Sequence, residues 1–405
     1  MKPVLSIIVP TRNRSEYVLH LLKCVLTIEK HDFQIVIHDN SDTMELKNSI
    51  KPLLSDQRIK YSHTIRRLSF ADTFNKAFLL SDGDYVAFVG DDDGVNPEIV
   101  EAARWAKEMD FDSLTPTRVI TYGWPNFVMK RHRNFHNSRL IIRRFDGSTR
   151  LVVPSQELAK STSRAFQDFF FLPRLYYGLV KRQLVQQVID DFGSVFFGSA
   201  PDISGSVAIT KSVNRAVTID YPLFIVGSSA GSGAGRGGLG RHVGDLNKEP
   251  QTKDFAHNWP IQIPPMYSVQ TVWAHAGLEA LKSTGRDDMI SRFNIALIHA
   301  KTLISNPPTF YSLVLRNLWQ LFRKREIGVV SLIIRFPFYC LQQVIHNSSL
   351  FVWRGLRLGR WISYSHEETQ LEDIGQATKA LTQFLHSNGI RFSNTISYLC
   401  QSVPN

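Results

Sequence analysis

Cysteine is scarce in this chain. Cys24, Cys340 and Cys400 are far apart, odd in number and without CxxC or Cys/His spacing. That pattern excludes a disulfide framework and a structural zinc, and it points to a reducing compartment. Long apolar runs are missing too. The longest, residues 327–341, is broken by Arg335 and Pro337 and falls short of the ~20 residues that span a bilayer, so no transmembrane helix is expected. No GxxxxGK[ST] loop and no HExxH pair of histidines occurs, which removes a P-loop and a zincin site. The opening Met1, Lys2, Pro3, Val4 runs straight into a strand-like segment without a basic leader and cleavage site, so a cytoplasmic location is expected. Acid is in deficit. The 405 residues carry 47 Lys and Arg against 36 Asp and Glu, a net charge of +11, which calls for a polyanionic neighbour: a nucleotide, an anionic lipid surface or a nucleic acid.

What is present is a strand and helix alternation. Residues 4–9 (VLSIIV) form a short β-rich apolar run, followed by a helix for which Asn13 and Glu16 are placed as a capping pair and in which Val18, Leu21, Leu22, Val25 and Leu26 share a face. Strands are expected at 34–38, 58–62 and 85–89, and helices at 44–54 and 70–80. Asn96 and Pro97 read as the start of a further helix through Ile99, Ala102, Ala103 and Ala106. This alternation predicts an α/β fold, a parallel sheet with helices on both faces. In such sheets ligands bind beyond the carboxyl ends of the strands. The segments there are Pro10, Thr11, Arg12 and Asn13; Asp39, Asn40, Ser41 and Asp42; and Gly90, Asp91, Asp92 and Asp93.

Three adjacent carboxylates after a buried strand repel one another and are costly to fold without a cation. A hard divalent ion held by one or two of them, with phosphate oxygens completing its shell, is the arrangement that neutralises a departing diphosphate. Asp91, Asp92 and Asp93 are therefore the candidate metal ligands, with Mg²⁺ or Mn²⁺ as cofactor. Arg66 and Arg67 precede the helix at Phe70 and are candidates for phosphate contact.

Beyond Tyr122 the pattern breaks into a basic insertion, about 123–165, whose cations Lys130, Arg131, Arg133, Arg139, Arg143, Arg144 and Arg150 have Asp146 as the lone acid among them. It is either a solvated loop or a holder of an anionic acceptor. A glycine-rich stretch at 227–240 suits a mobile lid, with His242 beside it as a candidate extra contact. From about residue 266 the pattern is mainly helical. Arg316, Arg323, Lys324, Arg325, Arg354, Arg357 and Arg360 lie there among Trp319, Phe322, Phe336, Phe338, Tyr339, Phe351, Trp353 and Trp361, a mixture suited to peripheral contact with an anionic membrane or, equally, to a core helix pair with a basic outer face.

LSIIVPTRNR, IVIHDNSD and GDYVAFVGDDD, at these spacings, resemble the three signature stretches of family 2 glycosyltransferases. The resemblance covers about the first 110 residues well and the segment to about residue 230 more loosely. It implies a GT-A-type nucleotide-diphospho-sugar transferase sheet at 1–235, followed by a mainly helical region at 236–405. It also implies that Pro10, Thr11 and Arg12 line the nucleoside pocket, that Asp39 accepts a hydrogen bond from the base, and that the acidic cluster holds the metal against the diphosphate. Gly90 occupies the slot usually filled by the cluster's first aspartate. Asp91 and Asp93 still form a DxD pair, and Asp92 aligns with the family's second aspartate. Arg357 to Trp361 (RLGRW) is similar to a motif of membrane-embedded processive members, but it lies far beyond the expected acceptor site. The acid that such enzymes place downstream as general base corresponds to Asp202, with capping of a following helix as its structural alternative.

The expected function is transfer of a sugar from a nucleotide-diphosphate donor to a glycan or lipid-linked acceptor, with inversion, in cell-surface polysaccharide synthesis. A nucleotidyltransferase is the alternative in the same fold, but the basic glycine-rich loop after the first strand is missing. A nucleic-acid-binding protein is the second alternative, opposed by the acidic cluster and the lack of a binding module.

Overall fold

The computed structural model describes residues 2–130, 136–355 and 364–395. Fifteen strands follow in chain order: β1 Leu5–Thr11, β2 Phe33–Asp39, β3 Ile59–His63, β4 Tyr85–Phe88, β5 Gly94–Val95, β6 Ser113–Pro116, β7 Ile120–Gly123, β8 Arg139–Arg143, β9 Thr149–Val152, β10 Leu179–Lys181, β11 Ala216–Ile219, β12 Phe224–Ser228, β13 Val243–Gly244, β14 Tyr267–Ser268 and β15 Tyr364–Thr369.

Eight of them make the main sheet in the order β3-β2-β1-β4-β10-β6-β11-β9. β1 runs parallel to both β2 and β4, and β2 parallel to β3, whereas β10 enters antiparallel between β4 and β6. The strands alternate between two cores because successive side chains point to opposite faces. Leu5, Ile7 and Val9 of β1 pack with the helices Ser15–Leu26 and Ile99–Glu108, while Ile8 turns to the other face with the helices Phe70–Leu79, Arg182–Phe192 and Pro201–Ile209. Both faces are covered, as near-continuous apolar strands require.

β1 starts from its apolar run but does not end before Pro10. Its pairing with β2 continues through Pro10 and His38 to Thr11 and Asp39, while the pairs with β4 stop at Ile8 and Phe88. The missing proline N–H thus falls beyond the last β4 pair. The helix after β1 also starts differently from the expected capping pair. Asn13 takes a left-handed backbone, φ 55°, and its side chain goes to Asp42, so Arg14 becomes the flanking residue without a side-chain cap.

A smaller sheet, β15-β8-β7-β12-β5, lies beside the first. The basic insertion supplies its β8 and the edge strand β9 of the main sheet; of its cations, Arg131 and Arg133 lie outside the described residues. A third core gathers Leu158, Phe166, Ile203, Val207, Leu278 and Ile298 around the helices Val269–Ser283 and Ile295–Ser305.

Helices dominate residues 269–355, but 364–395 return to the first unit. β15 pairs with β8, Tyr122 donates to the Leu371 carbonyl at 3.0 Å, and Ile374, Leu381 and Phe392 are buried in the sheet core. The boundary expected at residue 235 therefore does not describe where this segment packs. Apolar positions 374, 377, 381 and 385 give its helix, Ile374–Ser387, one buried stripe, and the helix packs on Ser15–Leu26, β5, β8 and β15. Among the described residues no helix is long and apolar enough to cross a membrane.

Candidate active site

The site is built where β1, β2 and β4 end. Thr11, the last residue of β1, is 4% exposed and donates its hydroxyl to Asp91 Oδ2 at 2.8 Å. Arg14 reaches into the same place. Its Nε donates to Asp91 Oδ1 at 2.7 Å, and its Nη2 lies 2.9 Å from Asp92 Oδ2 and donates to Ser229 Oγ at 2.7 Å. Ser229 in turn donates to Asp92 Oδ2 at 2.5 Å. Burial alone would lower the guanidinium's pKa, but the charges of Asp91 and Asp92 outweigh it and raise the value.

The three aspartates have different surroundings. Asp93 accepts from the Gly227 amide at 2.8 Å, the Gly90 amide at 2.5 Å, Tyr177 Oη at 2.7 Å and Tyr176 Oη at 3.3 Å. Both its oxygens are used in holding the loop together. Asp91 has both oxygens engaged by Arg14 and Thr11. Asp92 uses one oxygen, and among the described residues Oδ1 has no hydrogen bond. Desolvation, the largest influence, and repulsion from Asp92 push the Asp91 and Asp93 carboxyls above the usual range, against the pull of their donors.

Two glycines allow this close packing. A side chain at Gly90 would come within 2.6 Å of Tyr176 Oη and 2.7 Å of Asp93 Oδ2. An aspartate here would require the Tyr176 hydroxyl and the Asp93 carboxylate to move. A Cβ on Gly227 would fall 1.7 Å from the Asp92 carbonyl oxygen, so β12 can approach the cluster only with glycine at that point. Trp124 Nε1 donates to the same carbonyl at 2.8 Å.

The remaining expected residues are spread around this centre. Pro10 lies within β1. Arg12 faces the loop after β2, donating to the Asn40 carbonyl at 2.8 Å and pairing with Asp42 at 2.5 Å. Asp39 is fully buried at the end of β2 and accepts from Tyr61 Oη and the Ser41 amide, both at 2.9 Å. Asn40 shapes the neighbouring segment by donating to the Thr64 and Arg66 carbonyls and accepting from the Leu68 amide. The Arg66 and Arg67 side chains are exposed. His242 stacks on Tyr267 with ring centroids 4.9 Å apart.

Asp202 stands apart from the acidic cluster, in the first turn of the helix Pro201–Ile209. Desolvation raises its carboxyl to about 6, opposed by hydrogen bonds from the amides of Ile203 and Asp202 itself and by the charge of Arg174. Arg174 is 6% exposed and donates to the Pro116 carbonyl; burial lowers its pKa to about 10 against the attraction of Tyr177 and Asp202. It therefore lies within electrostatic reach of both Asp202 and the tyrosine that holds Asp93.

Arg14, Ser229, Gly227, Tyr176 and Tyr177 were not singled out from the sequence. For Arg14 a signal exists, since it directly follows the polar residues that end β1. Tyr176 and Tyr177 carry none, and Gly227 and Ser229 fall in the stretch read only as a lid; these four lie 80 to 140 positions from the cluster, and only the fold brings them to it.

Residues 6–163 match the profile of the family described as glycosyl transferase family 2. This segment belongs to the family 2 glycosyltransferases. Its sheet is of the GT-A type expected from the resemblance. The chain is also similar to a putative colanic acid biosynthesis glycosyl transferase, WcaA, of Escherichia coli K12, 30% identical over 96 residues that make up 24% of this chain and 34% of that protein. An uncharacterized glycosyltransferase of Rickettsia bellii is 28% identical over 88 residues, 22% of this chain and 13% of that protein. The matches thus span about a third and about an eighth of these relatives. Among solved structures, S. aureus TarS 1–349 in complex with UDP-GlcNAc is 20% identical, with 73% of each chain covered and a TM-score of 0.45.

Among the described residues no group of three or more His, Cys, Asp or Glu side chains forms a complete metal site. A hard ion that takes most of its shell from phosphate oxygens and water needs only one or two carboxylates, and the unpartnered Asp92 Oδ1 fits that requirement. Asp93, with four donors on it, does not.

Proposed function

We propose that the protein transfers a sugar, with inversion, from a nucleotide-diphosphate donor to a glycan or lipid-linked acceptor, in cell-surface polysaccharide synthesis. The observation that carries this reading is the buried acidic cluster at the ends of β1 and β4, in which, among the described residues, Asp92 alone keeps an oxygen without a hydrogen-bond partner. The family 2 segment supports the reaction class, and the likeness to a putative colanic acid biosynthesis glycosyl transferase supports the polysaccharide context.

In this account Pro10, Thr11 and Arg12 line the nucleoside pocket. Asp39 accepts from the base; each of its oxygens is fixed by one protein donor and keeps a second lone pair. Arg66 is free to swing toward phosphate. Asp92 is the principal holder of Mg²⁺ or Mn²⁺, with Asp91 beside it, and when bound the ion would neutralise charge gathering on the departing diphosphate. Arg14 fixes the other oxygen of Asp92 and keeps Asp91 charged without a metal. Asp93 positions the loop.

Asp202 is the general base. It takes the acceptor hydroxyl's proton as the oxygen bonds to the anomeric carbon and the bond to the diphosphate breaks on the opposite side. A carboxyl raised to about 6 is more basic than an ordinary one and still ionised at neutral pH.

Peripheral contact with an anionic membrane is the reading for the face made by residues 311–345. Trp319, Val330, Ile333, Ile334, Phe338, Leu341 and Ile345 are each between 55% and 66% exposed. Arg316, Arg323, Lys324, Arg325 and Arg335 stand around them, against the single acid Glu326. Arg357, Arg360 and Trp361 lie outside the described residues, as do the side chains of Phe351, Trp353 and Arg354.

The test is to incubate purified protein with a panel of nucleotide-diphosphate sugars and follow release of the nucleotide diphosphate. At least one donor should be turned over in Mn²⁺ or Mg²⁺ and not in EDTA. Turnover in chelator at the same rate contradicts the metal assignment, and no turnover of any donor contradicts the reaction.

A further inference from the structure

A second cavity, away from the acidic cluster, has a built polar floor. It encloses about 240 Å³ between the edge strand β9, the helix Pro154–Ser163 and residues 164–172. At roughly 30 Å³ per water that is room for about eight waters, the scale of one saccharide unit. Ser161, 2% exposed, lines the cavity, and its hydroxyl has no hydrogen-bond partner among the described residues. A buried hydroxyl without a partner costs free energy unless a ligand or water completes it.

The rim is cationic and aromatic. Arg150, Lys160 and Arg164 have side chains 55% to 61% exposed. Two acids face them: Glu157 pairs with Lys160 at 2.8 Å and lies 3.9 Å from Arg150, and Asp168 pairs with Arg164. Lys301, on the neighbouring helix, lies within electrostatic reach of Asp168 and Arg164 but outside the lining, which holds three cations against two acids. The balance favours an anion. Phe170 and Phe171 are 52% and 38% exposed, and Phe171 lies under the Arg150 guanidinium at 5.6 Å. An exposed ring face beside hydrogen-bonding cations suits the apolar face of a sugar ring as well as its charge.

This cavity is tied to the reaction centre by chain. Leu172 lines it, and Tyr177, five residues on, donates to Asp93. Five residues reach at most ~18 Å. Arg174, beside Asp202, lies between them. The cavity is therefore a few sugar units from the acidic cluster.

We propose that it binds an anionic saccharide unit of the acceptor, one bearing a phosphate or carboxylate, and so holds a growing or charged acceptor chain while its end reaches Asp202. This rests on the glycosyl-transfer reading, but its test does not need a donor.

Full-length protein is titrated calorimetrically with glucose 6-phosphate, glucuronate, glucose and inorganic phosphate. Glucose 6-phosphate or glucuronate should bind at least tenfold more tightly than either glucose or phosphate. Lys160→Glu and Phe171→Ala, both at exposed positions, should each weaken that binding at least tenfold, with circular dichroism confirming the fold. Equal binding of phosphate and sugar phosphate would reduce the cavity to an anion site, and equal binding of glucose would remove the charge preference. Binding that neither variant weakens, or no binding at all, also overturns the proposal. Failure to bind nucleotide by a protein that binds these saccharides would count against the donor reading and leave the cavity's role standing.

Discussion

Arg14 Nη2 lies 2.9 Å from Asp92 Oδ2, a buried pairing that leaves the aspartate's other oxygen without a hydrogen bond among the described residues. A fixed guanidinium and an exchangeable metal would then share one carboxylate. Asp93, next in sequence, faces the opposite task and receives four donors.

That contrast predicts opposite phenotypes for neighbouring residues. Asp92→Asn should keep the fold and lose metal-dependent turnover by ~10²-fold or more, by loss of the electrostatic support that such sites supply. Asp93→Ala should chiefly unfold the protein, since each buried donor left unsatisfied costs roughly 1–3 kcal/mol. Thermal melts beside turnover assays separate the two. A stable Asp93→Ala protein, or an unstable Asp92→Asn one, would reverse the roles.

Asp202 sets the expected pH profile. Its carboxyl is raised to about 6, so the ionised base is depleted tenfold per unit below that value. Turnover should fall below pH 6 and level off above it. The sign for stability is the reverse: a carboxyl with a raised folded pKa contributes stability that is present below about 4, its unfolded range, and lost as pH rises through 6. Asp202→Asn should lower turnover ~10²-fold or more and flatten the acid limb. An Asp202→Asn enzyme that keeps the wild-type rate and pH profile would remove the base assignment.

How much of this was legible beforehand depends on distance along the chain. Residues 4–9, 34–38 and 85–89 could be read as buried strands because their apolar runs are local, and the polar ends of those strands followed from the topology rule. Asn13 was misread as a cap because its short polar side chain suits both a cap and a left-handed turn, and only its bond to Asp42 decides. The distinct environments of Asp91, Asp92 and Asp93 were beyond reach. They depend on Tyr177, Gly227 and Ser229, which no local pattern links to residue 93. The return of residues 364–395 escaped for the same reason: an amphipathic helix declares that it has a buried face, not what covers it.

That returning segment should be essential to folding. Phe392 is fully buried against Trp105 and Tyr221, and its amide donates to Glu98 Oε1 at 3.1 Å. Phe392→Ala should cost about 3–5 kcal/mol, read as a shift in a denaturant melt. A loss below 1 kcal/mol would mean that the segment is docked only loosely.

The exposed apolar face predicts salt-dependent lipid binding. Vesicles containing anionic lipid should carry the protein in a flotation gradient at low salt and release it as salt screens the charges. Ile333→Glu with Ile334→Glu should abolish flotation without changing the melt. Equal flotation with neutral vesicles would contradict the electrostatic part of the reading.

The most direct test of the central claim is nucleotide-diphosphate binding by calorimetry with and without Mn²⁺, in the wild type and in Asp92→Asn. The account predicts that at least one nucleotide diphosphate binds the wild type at least tenfold more tightly with Mn²⁺, and that Asp92→Asn abolishes the difference while the protein remains folded. Binding that is indifferent to Mn²⁺ in the wild type, or a Mn²⁺ effect that survives in Asp92→Asn, would contradict it.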